Sequence, residues 1–172
     1  MPDRLFKNLQ LFSTTKIDYK IMNELLALTI SLLDGKETYG KRRVYPDSHI
    51  LIQVVFHNKD KRSVMLLKQF EPTPIFFSLN IVKEDGTIID IPGAGKIAMD
   101  RMEYVKLNTN EMFAHNINIA TVLTEPLVPD KYTLSVEYHN QYGGDACFTG
   151  YLMSNTVDFE IVSEETYHGI LG

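Results

Sequence analysis

Between Leu127 and Tyr138 the chain reads LVPDKYTLSVEY. Pro129 fixes a backbone dihedral ahead of a turn, and the residues after the turn alternate strictly between apolar and polar. Tyr132, Leu134, Val136 and Tyr138 fall on one face of an extended chain, and Thr133, Ser135, Glu137 and His139 on the other. A Pro-x-x-Tyr turn that leads into such a strand is the sequence mark of a tyrosine corner. In that motif the hydroxyl bonds to backbone a few residues upstream.

The same period of two recurs along the chain. Leu26, Leu28, Ile30 and Leu32 alternate with Ala27, Thr29 and Ser31 ahead of an Asp34-Gly35 turn. Leu, Glu and Ala in this stretch also favour a helix, but the alternation and the turn favour a strand. His49–His57 reads as a strand with Ile50, Ile52, Val54 and Phe56 inward, and Ile75–Val82 as another with Ile75, Phe77, Leu79 and Ile81 inward. Short extended pieces are expected around Val44, over Ser63–Leu67 and over Glu103–Leu107. Glu71-Pro-Thr-Pro74 is barred from a central strand by its two prolines. Asp85-Gly86 predicts a type I′ hairpin turn with Ile88–Ile91 as the returning strand. Met112–Ala120, with Phe113, Ile117 and Ile119 inward, and Asn155–Val162, with Val157, Phe159 and Ile161 inward, complete the set. The expected core is Ile52, Val54, Phe77, Leu79, Leu134, Val136 and Phe159.

Many short strands separated by turns predict an all-β fold. The natural solution is an immunoglobulin-like antiparallel β-sandwich of about seven to nine strands with Greek-key connections. The sandwich is expected over residues 24–162. Residues 1–23 read as an N-terminal tail or arm, in which Leu5, Leu9 and Phe12 can share a face, and residues 163–172 as a frayed C-terminal tail. The 172 residues, 44% of them apolar, suffice for a real core.

The matching elements ILIQVVFHN, FSLNIVKEDGTII, EYVKLNTNE, LVPDKYTLSVEY and SNTVDFEIV together cover roughly residues 25–162. In strand order and turn placement the chain resembles bacterial immunoglobulin-like domains. It is similar in this respect to the intracellular proteinase inhibitor family and to the non-catalytic sandwich domain of lysine-specific metalloendopeptidases. The resemblance is one of strand order and turn placement, so it implies a fold and says little about activity. No reactive-site motif of those families is matched.

Composition narrows function chiefly by exclusion. A net charge of −5 argues against a general nucleic-acid binder. Leu25–Leu33, the longest apolar cluster, is interrupted by Thr29 and Ser31 and is too short to span a bilayer. The N-terminus lacks the apolar core of a signal peptide, and the one cysteine, Cys147, excludes an internal disulfide, so a cytoplasmic protein is expected.

No motif calls for a metal or cofactor. His49 and His57 lie roughly 26 Å apart on one strand, too far for one ion. His139 and Cys147 form the one conceivable ligand or nucleophile–base pair, and two ligands do not close a zinc site. Gly93-Ala94-Gly95-Lys96 lacks the spacing and the helix of a phosphate loop. Asp85, Asp90 and Asp100 read as turn and surface residues, and Ser13, Ser48 and Ser154 have no nucleophile elbow around them.

A non-enzymatic module that recognises a protein partner through its end loops is therefore expected. A proteinase inhibitor acting through an exposed loop is the alternative. Lys59, Lys61 and Arg62 in one loop, with Tyr142, Asp145 and Phe148 in another, are the candidate partner-binding residues. A second basic cluster, Lys41-Arg42-Arg43, reads as a solvated connection.

Overall fold

A computed structural model describes residues 25–37, 42–46, 49–95 and 101–170. Alternation makes the strands, and the turn residues set their ends. The chain runs through β1 (Leu26–Leu33), β2 (Lys36–Glu37), β3 (Arg43–Tyr45), β4 (Leu51–Asn58) and β5 (Val64–Leu67). A helical turn, α1 (Thr73–Phe76), leads into β6 (Phe77–Lys83). Then follow β7 (Tyr104–Leu107), β8 (Met112–Asn118), β9 (Asp130–Asn140), β10 (Gly150–Met153), β11 (Val157–Ile161) and a short helix α2 (Glu164–Gly169).

These strands build a β-sandwich. One sheet has the order β1-β4-β8. In the other, β9 is the hub: β6 pairs along one side of it, while β10 and β11 share the other side end to end. β3 adds to β11 and β2 adds to β3. A small β5-β7 ladder closes one end. Among the described residues every ladder is antiparallel except β3 on β11, which is parallel. Sequential strands β8 and β9 lie in different sheets, which is the Greek-key crossing that the corner motif requires. The Tyr132 hydroxyl donates to the Val128 carbonyl at 2.7 Å, so the tyrosine corner is formed.

The apolar faces of β1, β4 and β8 meet those of β6, β9 and β11 in one continuous core. Ile52, Val54, Leu134, Val136 and Phe159 are fully buried there, with Phe77 and Leu79 nearly so. Aromatic rings fill the end of the core near β5. Phe70 stacks on Phe56 at 5.5 Å, and Phe56 meets Tyr138 edge-on at 4.9 Å. At the other end, Tyr132 stacks on Phe159 at 5.4 Å, and Phe159 meets Tyr45 edge-on at 6.2 Å. The Tyr45 hydroxyl donates to Leu33 at 2.6 Å, and burial pushes its pKa up to about 12. Gly35 lies so close to that ring that a Cβ there would sit 2.6 Å from it, which leaves glycine as the residue that fits.

Several local expectations are corrected. Only Gly86 in the β6 turn has a positive φ, 89°, whereas a type I′ turn needs two such residues. The Asp85 carboxylate accepts the Thr87 N–H at 2.8 Å and holds a type I-like turn instead. Ile88–Ile91 makes one bridge, Val82 to Ile88, rather than a strand. Ile75 belongs to α1 because the Glu71 carboxylate accepts the Thr73 N–H at 2.9 Å and starts a helical turn there. β8 stops at Asn118, whose side chain accepts the Ala120 N–H and turns the chain into a 3-10 segment. β10 was not expected from the sequence. Ser163 caps α2 where a frayed tail was expected, and Lys36 holds that helix by donating to the Tyr167 carbonyl and lying 4.2 Å over its ring. The arm over residues 1–23, Lys41, Ser48, Lys96 and Asp100 lie outside the described residues.

β10 and β11 are one strand broken by a bulge. Met153 faces Glu137 and Val157 faces Leu134, so three residues, Ser154 to Thr156, oppose two on β9. The Ser154 hydroxyl accepts the Val136 N–H at 2.8 Å in place of a ladder carbonyl.

Candidate functional site

β4 and β9 run side by side across the core, and each ends in a buried asparagine. Phe56 packs on Tyr138 two residues before Asn58 and Asn140, so the loops that follow leave at the same end. A buried amide is tolerated only when its donors and acceptor are paired, and both of these are. Asn58 Nδ2 donates to Arg62 at 2.8 Å and to Leu107 at 3.0 Å, while its Oδ1 accepts the Asp60 N–H at 3.0 Å. Asn140 Nδ2 donates to Tyr142 at 3.1 Å and to Phe148 at 2.9 Å, and its Oδ1 accepts the Tyr142 N–H at 2.9 Å. One side chain thus shapes each loop from beneath.

The first loop presents the basic residues. Lys59, Lys61 and Arg62 are exposed. The Arg62 guanidinium lies 3.1 Å from the Asp60 carboxylate. The Arg62 backbone N–H and then its side chain hold the Asp60 pKa below its ordinary value. This pair steadies the turn but leaves the Arg62 side chain 83% exposed.

The second loop is anchored to the first connection. The Phe148 N–H donates to the Met65 carbonyl on β5 at 2.7 Å. Tyr142 and Phe148 are half-buried: Tyr142 packs 5.8 Å from Phe76, and Phe148 stacks 6.3 Å from Tyr138. Asp145 is exposed at the tip. Gly143 carries a φ of 87°, and a Cβ there would lie 2.6 Å from the Cys147 sulfur. The six candidate residues therefore divide into two groups. Lys59, Lys61, Arg62 and Asp145 face solvent, whereas Tyr142 and Phe148 lean inward and support the loop. Lys59–Arg62 precede β5, and the Tyr142–Cys147 turn lies near its far end, where a Gly143 Cβ would meet Tyr104.

Chemistry at this end is muted. The Cys147 thiol donates to the Tyr142 carbonyl at 3.4 Å, and burial pushes its pKa up, so it stays protonated and poorly nucleophilic. His139 and Asn140 are successive strand residues and point to opposite faces. The His139 ring lies 6.3 Å from Tyr151 on β10, on the other side of the sheet from Asn140 and the thiol it contacts. Among the described residues no group of three His, Cys, Asp or Glu side chains is placed to hold a metal ion. No described helix is long and apolar enough to cross a membrane.

No family model matches the chain, and no curated protein matches it. Among solved structures, it is similar to the crystal structure of a CARDB domain from Pyrococcus furiosus in complex with di-metal ions. The identity is 14% and the TM-score 0.36, over 82% of this chain and 97% of that one. The metal ions belong to that domain, and a likeness at this level carries no argument about function.

Sequence reasoning missed Asn58 and Asn140 as loop organisers. The signal was faint: an asparagine on the apolar face at the end of an otherwise alternating strand.

Proposed function

We propose that the chain is a non-enzymatic binding module that recognises a protein partner at the loop-bearing end of the sandwich. The observation that carries this reading is the pair of buried asparagines. Each fixes a loop at the same end of the sandwich, one holding Lys59, Lys61 and Arg62 in solvent and the other carrying Asp145 at its exposed tip. Loops held on a rigid sandwich can vary without cost to the core. Three exposed cations within four residues favour an acidic patch on the partner, which they steer and orient.

The test is affinity capture from the source cell with the wild type and with Lys59→Glu/Lys61→Glu/Arg62→Glu. These are surface positions, so the triple variant should keep its stability within about 1 kcal/mol. It should lose the partner that the wild type retrieves. Equal retrieval by both proteins would place recognition elsewhere on the molecule. The alternative, a proteinase inhibitor acting through an exposed loop, is separated by the class of the captured protein. It requires a proteinase whose activity falls on adding the wild type.

A further inference from the structure

The outward face of the β1-β4-β8 sheet differs in charge from that of the opposite sheet. Every second residue of β1 from Thr29 to Leu33, of β4 from Leu51 to His57 and of β8 from Met112 to Asn118 points away from the core. The strands are in register, so these residues form cross-strand rows, Thr29–Val55–Ala114 and Ser31–Gln53–Asn116 in the middle. None of them is Asp, Glu, Lys or Arg, although 23% of the chain is charged. The outward face of β9 and β11, by contrast, carries Glu137, Asp158 and Glu160. Thr29, Ser31, Ala114 and Asn116 are exposed, and Met112 is 61% exposed.

From this face we infer that the sheet is a contact surface for a second copy of the same chain. A two-fold interface sets a face against itself, so any charged row would meet its own sign. This face has none. Its polar groups are hydroxyls, amides and the His57 imidazole, each of which can be both donor and acceptor and can pair with its own kind. Gln53 already donates to Asn116 at 3.4 Å within one copy, and the same amides can pair across a dyad. A partner of another kind would find no carboxylate, ammonium or guanidinium here by which to be selected.

Size sets the strength. Three strands about 4.8 Å apart and about 25 Å long give a footprint of about 350 Å2. That is well under the roughly 800 Å2 per partner of a standard stable interface. The dimer is therefore weak and concentration-dependent. This surface is distinct from the loop-bearing end, and neither reading depends on the other.

Sedimentation equilibrium of the full chain between about 1 μM and about 1 mM tests it, since weak association falls in that range. The mass-average should rise towards twice the monomer for the wild type and stay monomeric for Val55→Lys and for Ala114→Lys. A wild type that stays monomeric throughout overturns the inference, as do variants that still dimerise. Amide NMR shifts of the wild type on dilution need no variant. They should move at Thr29, Val55 and Ala114. Shifts independent of concentration, as when another part of the same chain covers the face, sink it equally.

Discussion

The Asn155 side chain reaches from the bulged strand to the opposite sheet and pairs with the backbone of Ile30. Its Oδ1 accepts the Ile30 N–H at 2.7 Å, and its Nδ2 donates to the Ile30 carbonyl at 3.0 Å. The amide takes the place of a neighbouring strand at the outer edge of β1. It satisfies two edge groups that would otherwise be open to pairing with another chain.

Asn155→Ala should cost about 1–3 kcal/mol, because both Ile30 groups are part-buried and lose their partner together. Urea unfolding with an unchanged m-value measures it. A loss near zero would mean that water replaces the amide without penalty.

Tyr132→Phe keeps the ring on Phe159 and removes only the 2.7 Å bond to Val128. The expected loss is on the order of 1 kcal/mol. Leu134→Ala, at a fully buried position, should cost about 2–5 kcal/mol. Reversal of that order in thermal unfolding would show that the corner, rather than the core, dominates.

Asn140→Ala should untie the second loop while leaving β9 in place. Amide exchange should quicken at Tyr142 and Phe148, which bond to the Asn140 side chain, more than at Leu134 in mid-strand. Because Tyr142 and Phe148 pack inward, Phe148→Ala should also destabilise the protein, unlike Lys61→Ala.

His115 gives the fold an acid-sensitive spot. Its ring lies 5.0 Å from Phe70 and stacks 6.3 Å from Phe77, and its Nε2 is buried with no partner. Burial lowers its pKa below 6.5, and the Glu71 carboxylate opposes the shift. The unfolded chain therefore binds this proton more readily than the folded one. Stability is whole above pH 6.5 and falls as the pH drops from there through the lower folded value. Melting curves between neutral pH and pH 5 should show that loss, and His115→Phe should reduce it. The remainder falls to His139, whose pKa burial also lowers.

The strands that face a single core were legible because alternation is a local property: Ile52, Val54, Leu134 and Val136 announce their faces by their neighbours. The corner was legible because Pro129 and Tyr132 sit three residues apart in one turn. What escaped were devices in which distant residues complete each other. Asn155 has no local signal for a bond to Ile30, 125 residues away. β10 hid within a glycine-bearing stretch because Gly150, Tyr151 and Met153 lack the apolar face of a core strand. In the candidate site, the exposed cations Lys59, Lys61 and Arg62 were readable as a polar run. The inward lean of Tyr142 and Phe148 depends on Asn140 and Met65, and an aromatic in a loop looks the same in sequence whether it points in or out.

The parallel pairing of β3 with β11 has a consequence for the life of the chain on the ribosome. Arg43 aligns with Phe159 and Tyr45 with Ile161, so an early strand, paired on one side with β2, finds its second neighbour only in a late one. Translation adds about 5–20 residues per second, and the early strands must wait several seconds for that neighbour. Pairings so distant in sequence also form slowly once both ends are present. During this interval the apolar face of β1 and the edge of β3 are uncovered, which makes the nascent chain, rather than the finished sandwich, the form most in need of a chaperone.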